Sequence, residues 1–237
     1  MDVSAEKGRT SGNGPIRVLH IVQQMQAAGL ETFLMNMYRN IDRDKVQFDF
    51  LTHYAGRRFF DDEIERLGGR IYRMSVREDF NFFRYLKGLD RFFDEHPEYR
   101  IVHGHMDSLG VLYLKKAEKH GVPVRIAHAH RVLSKISLKQ RLRSFMARRY
   151  GKHATDLFAC SEDAGRHMFG DHTFRVVRNA IELSRFAFDP VVRGAARAEL
   201  GLEGNFVVGN VGRFYDEKNH AFLLDIFAEI VAREPAA

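Results

Sequence analysis

Two adjoining stretches decide the fold class: residues 16–22 (IRVLHIV) and residues 29–41 (GLETFLMNMYRNI). The first is a short apolar run rich in β-branched residues, which is typical of a buried strand. In the second, Phe33, Leu34, Met37 and Ile41 recur at helical spacing, so that one side of a helix would be apolar. Together they predict a strand, a short loop and a helix.

The same alternation continues along the chain. Further strands are predicted over 46–52, 69–74, 101–103, 124–127, 155–160 and 173–177, with helices over 59–67, 80–95, 108–120, 137–150 and 162–169. Strands that alternate with helices through short connections predict an α/β fold, a doubly wound, mostly parallel Rossmann-like sheet with helices on both faces.

A second unit is predicted near the end of the chain. Residues 206–211 (FVVGNV) favour a strand and residues 219–233 a helix. We therefore expect a flexible tail over 1–15, a first domain over 16–185, a linker over 186–204, and over 205–237 the opening βα unit of a second Rossmann-like domain that is cut short.

Composition excludes several protein classes. The 237 residues are 45% hydrophobic and 29% charged, which is ordinary for a globular protein, and a lone cysteine, Cys160, cannot form an internal disulfide. No apolar run approaches the roughly 20 residues that span a bilayer. These features predict a cytoplasmic protein.

The positive charge is concentrated in one segment. The net charge is +6, and residues 119–155 contain ten lysines and arginines without one acidic residue. A helix in this segment would carry an apolar stripe beside a basic side, which predicts contact with an anionic membrane face. The alternative is an ordinary docked helix whose basic side is solvated; no RNA-binding or zinc-finger pattern accompanies the charge, so nucleic acid is not expected.

Candidate ligand-binding residues follow the predicted strands, because open parallel sheets bind ligands beyond the carboxyl ends of their strands. After the first strand comes a small-residue loop ending at Gly29, with Glu31 in the first helical turn. This loop could admit an anion to the helix N-terminus, or be a plain tight turn. It matches neither the dinucleotide fingerprint nor the Walker pattern.

Two strands are followed by a His-x-His pattern: His103 with His105, and His128 with His130. Imidazoles there could hydrogen-bond a sugar, act as acid or base, or bind zinc. We expect no metal, because no carboxylate or cysteine stands beside them at familiar metal spacing. A structural alternative is that alternation buries one histidine of each pair. His128 is the best candidate for a reaction centre.

Later residues extend the list of candidates. Ser161 follows a strand and is placed to cap the next helix, while Asn179 suits a turn or hinge. At Gly212 a predicted strand ends, and Arg213 and Lys218 flank a short loop that enters a helix. A guanidinium, an ammonium and a helix N-terminus together suit a diphosphate, the alternative being solvated surface charges.

These pieces, in this order, resemble the family-4 retaining glycosyltransferases of the GT-B fold, particularly bacterial enzymes that build exopolysaccharides. The resemblance covers about residues 16–234 and rests on RVLH at 17–20 with GLE at 29–31, IAHAH at 126–130, CSEDA at 160–164, NAIE at 179–182, and GR at 212–213 with KN at 218–219. The family usually has two glycines where this chain has Ala28-Gly29, and N-G-[IV]-D where it has NAIE.

The resemblance implies a function and roles for residues. A sugar would pass from a nucleotide-diphosphate donor to a saccharide or lipid-linked acceptor in surface polysaccharide synthesis, at the inner face of the membrane. Arg213 and Lys218 would bind the donor diphosphate in place of a metal, His128 would lie at the transfer centre, and Gly29 would line the cleft. The family's E-x7-E glutamates would fall beyond Ala237, which makes activity of the chain alone doubtful.

Two alternatives remain open. A sugar-nucleotide epimerase can share the two-domain architecture, although the motif order fits it less well. The chain could also be a membrane-docking binding subunit whose partner supplies the donor half.

Overall fold

The computed structural model describes residues 14–79, 81–130, 149–212 and 214–234. Its sheet has seven parallel strands in the order β3-β2-β1-β4-β5-β6-β7. The strands are β1 (Ile16–Val22), β2 (Val46–Thr52), β3 (Ile71–Arg73), β4 (Ile101–Gly104), β5 (Val124–Ala129), β6 (Asp156–Ala159) and β7 (Arg175–Val176). The predicted parallel α/β class is confirmed.

Six helices connect these strands within the described residues. They are α1 (Gly29–Asn40), α2 (Asp61–Arg66), α3 (Val76–Asp79), α4 (Phe82–Glu95), α5 (Asp107–Lys119) and α6 (Glu162–Phe169), with a 3-10 turn over Tyr150–His153. Most of the basic helix predicted over 137–150 lies outside the described residues.

Each face of the sheet has its own apolar core. Successive side chains of a strand point to opposite faces, so Val18 and Val22 of β1 pack with α1 and α2, while Leu19 and Ile21 pack with α4, α5 and α6. This is the two-sided arrangement that the alternating pattern predicts. It also fixes the face of His20, which lies between Leu19 and Ile21 and therefore points toward α1.

The strand order reverses between β1 and β4. The chain runs from β1 outward to β3 and then returns to the other side of β1, where β4 pairs with it in register His20 to His103. In sheets of this type a ligand crevice forms at such a switch point, at the carboxyl ends of the strands.

Residues 182–237 form a second compact unit, which we describe by itself. Its described part contains α7 (Pro190–Glu199), α8 (His220–Arg233) and two 3-10 turns, Leu183–Phe186 and Asp216–Lys218. The predicted helix after residue 219 is confirmed. Sequence reading missed α7, although its start carries the clear signal of an Asp189 cap before Pro190.

The strand predicted over residues 206–211 is not formed; this stretch is irregular. A strand exists only through hydrogen bonds to a neighbour, and the described residues of this unit contain no second strand. None of the described residues from 182 to 234 is buried, and Phe206 and Val211 are exposed. Within the described residues, the apolar stretch 206–211 therefore has no strand to pair with.

Candidate functional site: a histidine cluster at the switch point

Five histidines converge on the α1 face of the sheet where the strand order reverses. His20 comes from β1, His103 from β4, His128 from β5, and His105 and His130 directly follow β4 and β5. Residues two apart in a strand face the same side, so the two rings of each His-x-His pair lie next to each other on one face, tilted by 31° and 35°. Ring centroids lie 4.2 Å apart for His103 and His105, and 4.0 Å apart for His128 and His130.

Hydrogen bonds link the imidazoles across the strands. His20 Nδ1 lies 3.0 Å from His105 Nε2, and His105 Nδ1 lies 2.8 Å from His130 Nε2. His103 Nε2 lies 3.1 Å from His128 Nδ1. The rings form two hydrogen-bonded chains. One joins His20, His105 and His130, and the other joins His103 and His128.

Aromatic rings surround the cluster. Phe48 of β2 lies 4.2 Å from His20 between ring centroids, Phe158 of β6 meets the edge of His128, and Phe33 of α1 approaches the same histidine. His20, His105 and His128 are buried, whereas His103 and His130 are partly exposed. Among the described residues, His103 and His130 are therefore the most accessible members of the cluster.

Burial keeps these histidines neutral. It lowers the pKa of His20 to about 3, that of His128 to about 2 and that of His130 to about 4, and neighbouring imidazoles contribute to the first two. The pKa values of His103 and His105 are also well below the ordinary value, chiefly through burial. At neutral pH each ring therefore offers one donor and one acceptor nitrogen.

Gly104, between His103 and His105, is required for packing on the opposite face of the sheet. A Cβ at this position would overlap the ring of Tyr113 from α5, whose hydroxyl donates to the Met106 carbonyl oxygen and accepts from the Met106 N–H. Only glycine lets this ring pack under the strand end. Packing therefore requires the glycine of the His-Gly-His sequence, whatever the two histidines do chemically.

The other predicted site residues are distributed around this edge or lie elsewhere. Gly29 begins α1 and is exposed, and a Cβ there would meet nothing within 4 Å; Glu31 in the same turn is buried. Helix α1 has no side-chain hydrogen bond at its N-cap, Ala28. Among the described residues, the space beside Gly29 at the start of α1 is therefore open.

Ser161 caps a helix, and Asn179 lies on the surface near the end of the first unit. The Ser161 hydroxyl accepts from Ala164 N at 3.1 Å, which confirms the predicted cap of α6. Asn179 is exposed, and the carbonyl of Ala180 accepts from Asn36 of α1 at 3.3 Å. Asn179 lies two residues before the end of the first unit at Ile181.

The predicted diphosphate residues belong to the second unit. Gly212 and Lys218 are exposed, and Arg213 lies outside the described residues. Lys218 ends a 3-10 turn, and Asn219, in the left-handed region (φ 47°), then starts α8 without a side-chain cap hydrogen bond. Asparagine is among the few residues that tolerate this backbone conformation.

Comparison with known proteins identifies the family. The glycosyl transferase 4-like domain matches residues 28–180, which is more than half of the chain. The chain belongs to that glycosyltransferase family. The predicted family resemblance is thereby confirmed over residues 28–180, which contain four of the five clustered histidines.

Two curated relatives and one solved structure extend the match. Over 226 residues the chain is 36% identical to EpsF of Bacillus subtilis (strain 168), a candidate glycosyltransferase, covering 92% of this chain and 59% of EpsF. It is 26% identical to the capsular polysaccharide biosynthesis glycosyltransferase CapH of Staphylococcus aureus, again over 92% of this chain and 59% of CapH. The chain thus spans about three fifths of the length of these relatives.

The fold is shared with HepE of Anabaena, solved in complex with UDP and glucose. The TM-score is 0.68 at 18% identity, covering 90% of this chain and 58% of HepE. This likeness supports the Rossmann-like architecture.

None of the described helices is long and apolar enough to cross a membrane.

His20 is the cluster member that sequence reasoning missed. In the sequence it stands out only as part of the RVLH match, and a single histidine inside an apolar strand is usually a buried core residue. The available signal was the parallel topology: if β1 and β4 are neighbours, a histidine in each can lie side by side, as His20 and His103 do.

Proposed function

We propose that this protein is a retaining glycosyltransferase, which moves a sugar from a nucleotide-diphosphate donor to a saccharide or lipid-linked acceptor in surface polysaccharide synthesis. The observation that carries the proposal is the convergence of imidazoles at the switch point of a domain that belongs to a glycosyltransferase family. The names of CapH and of the HepE complex, a capsular polysaccharide enzyme and a protein with UDP and glucose, support the substrate classes.

In this proposal, the histidines at the carboxyl edge of the sheet bind the sugar. The pKa of His128, about 2, makes this ring a weak base, so it acts as a hydrogen-bond partner of a sugar oxygen instead of taking up a proton. His128 is 1% exposed and His130 is the more open ring. Variants at these two positions distinguish whether His128 or His130 contacts the sugar.

Arg213 and Lys218 serve the diphosphate. When the bond between the anomeric carbon and the diphosphate oxygen breaks, negative charge grows on the departing group, and fixed cations stabilise it. Lys218 is exposed beside the N-terminus of a 14-residue helix, whose free N–H groups favour anions. These cations supply the charge that a metal supplies in other folds, so the transfer step is proposed to need no metal or other cofactor.

Location at the cytoplasmic membrane face belongs to the same proposal. Its support is the run of ten lysines and arginines over residues 119–155, since each basic residue near an anionic surface contributes about 1 kcal/mol of attraction. Vesicle co-sedimentation tests it. Binding to phosphatidylglycerol vesicles but not to phosphatidylcholine vesicles is expected, and equal binding to both would refute the electrostatic docking.

Nucleotide binding tests the donor assignment. Calorimetric titration of UDP and GDP is run on the 237-residue chain and on the longest product of its gene. We expect one of the nucleotides to bind and binding to weaken at least about tenfold in Arg213→Ala and Lys218→Ala, because each removes a charge-assisted contact. Arg193→Ala, an exposed arginine of α7, is the matched control. Unchanged affinity in both site variants would refute the role.

A further inference from the structure

Three histidines of the cluster form a hydrogen-bonded chain from the core to the carboxyl edge of the sheet. His20 Nδ1 lies 3.0 Å from His105 Nε2, and His105 Nδ1 lies 2.8 Å from His130 Nε2. We propose that His105, held by His20, is a positioning residue that fixes the tautomer of His130, so that His130 presents its Nδ1–H to the ligand as a hydrogen-bond donor. That the ligand is a sugar rests on the proposed function, whereas the tautomer does not.

A chain of neutral imidazoles linked in this way allows two arrangements of its protons. Each hydrogen bond needs one donor and one acceptor nitrogen, and a neutral ring has one of each. Either every ring carries its proton on Nδ1 and donates toward the edge, or every ring carries it on Nε2 and donates toward the core. Any mixture of the two forms would leave two donors or two acceptors facing each other. One ring therefore decides the tautomer of the others.

The buried end of the chain selects the first arrangement. His20 Nε2 is buried and has no hydrogen-bond partner among the described residues, and the rings of Phe48 and Phe50 lie beside this histidine. With the proton on Nε2, the only donor of His20 would be unpaired in apolar surroundings. Unpaired buried N–H groups are rarer in proteins than unpaired acceptors. The proton therefore belongs on Nδ1, where it is used in the hydrogen bond to His105.

The outer end of the chain does not oppose this choice. His130 is partly exposed, and its Nδ1 makes no hydrogen bond to the other residues that the structure describes. Water can satisfy a donor and an acceptor equally well at this end. Burial lowers the pKa of His130 to about 4, so the ring is neutral at pH 7 and has a defined tautomer. The preference at His20 is thus passed through His105 to His130.

A fixed tautomer determines which ligand atom His130 recognises. An Nδ1–H donates to an oxygen that accepts a hydrogen bond, such as a hydroxyl oxygen of a sugar, and it offers nothing to a group that can only donate. The donor is in place before the ligand arrives, so binding requires no rearrangement of protons. A neutral histidine free in water carries its proton mainly on Nε2, so the chain imposes on His130 the opposite form.

Nitrogen-15 NMR of the imidazole rings tests the tautomer directly, because a protonated and a bare ring nitrogen differ widely in chemical shift. At pH 7 we expect the proton on Nδ1 in His20, His105 and His130 of the parent chain. The exposed His172, outside the cluster, is the control and should carry its proton mainly on Nε2. A parent chain in which His130 carries the proton on Nε2, or equally on both nitrogens, would overturn the proposal.

Two variants test the positioning role of His105, after circular dichroism has shown which of them are folded. His105→Phe removes the donor to His130 Nε2, so most of the His130 population should return to the Nε2–H form. His105→Asn keeps a side-chain N–H near the position of Nδ1 and should hold His130 in the Nδ1–H form. Parental His130 shifts in folded His105→Phe, or loss of the Nδ1–H form in folded His105→Asn, would contradict the role. No sugar nucleotide is used, so a failure of the proposed transferase activity is read separately.

Discussion

Asp49 shows how one residue can hold the first domain together. Its carboxylate is fully buried and accepts from both Arg17 Nε and Nη2 at 2.5 Å, from the Arg70 N–H at 2.7 Å and from the Tyr99 hydroxyl at 2.7 Å. The network joins β1, β2 and the chain segments that precede β3 and β4. Burial raises the pKa of Tyr99, and so do the hydrogen bonds of its hydroxyl with Tyr72 and with Asp49.

Asp49→Ala is therefore expected to destabilise the protein by about 3 kcal/mol or more, because removing one member leaves the Arg17 charge partly buried without its partner. Urea unfolding followed by circular dichroism measures the change. Asp42→Ala removes a carboxylate whose ion pair with Lys45 is exposed, and should leave the unfolding midpoint nearly unchanged. Equal midpoints for the two variants would contradict the role of the network.

The sequence identified most histidines of the site, but it did not show which strands bring them together. His105, His128 and His130 were named as candidates and meet in space. The participation of His20 required knowledge of which strand lies beside β1, and strand order is a long-range property that local patterns do not encode. The need for glycine at position 104 comes from the Tyr113 ring packed against it, a contact that the local sequence does not show.

At the scale of elements, α4 and α5 are joined by a charged contact. Asp90 of α4 accepts from Lys116 Nζ, from Lys119 Nζ at 3.3 Å and from His120 Nε2 at 2.8 Å. The hydrogen bond from His120, followed by that from Lys116, holds the pKa of Asp90 well below its ordinary value of 3.8. The two helices cover the same face of the sheet.

Asp90→Asn should cost about 0.5–1 kcal/mol at pH 7, since the group is partly exposed. A carboxylate with a depressed folded pKa contributes its full stabilisation above pH 3.8 and loses it as the pH falls toward the folded value. The difference between parent and variant should therefore shrink below about pH 4. Unfolding titrations from pH 7 to pH 3 test this, with the exposed Asp171→Asn as control; a difference that does not change with pH would contradict it.

Element prediction succeeded where a pattern was local and strong. Strands β1 and β2 begin and end as predicted, and α4 begins after its Asn81 cap, which accepts from Arg84 N. β5 extends two residues beyond the predicted end and takes in His128, because its pairing with β6 reaches Ala129. The strand over 206–211 failed because apolar character alone cannot supply a pairing partner.

On the scale of the whole molecule, the first unit contains all seven strands and both apolar cores. The second unit contains no buried residue among those described. Hydrophobic burial is the main stabilising term in folding. The stability of the chain should therefore reside in residues 14–181.

A version ending at Ile181 is expected to unfold within a few degrees of the parent chain, because it keeps every buried residue described. Differential scanning calorimetry measures both transitions. A version ending at Ala159 removes α6 and β7, with the buried Met168 and Phe169, and should melt far lower. Loss of the folded state in the version ending at Ile181 would show that the second unit stabilises the first.

The most direct test of the central claim is the rate of nucleoside diphosphate release from UDP-sugars and GDP-sugars, measured on the longest gene product for the parent, His128→Ala and His172→Ala. With a saccharide acceptor or water taking up the sugar, the account predicts release by the parent, at least about 100-fold slower release in His128→Ala, and no change in His172→Ala. If a folded His128→Ala variant keeps the parental rate and His130→Ala loses it, the sugar contact belongs to His130. If neither variant changes the release rate, the role of the histidine cluster in sugar transfer is contradicted.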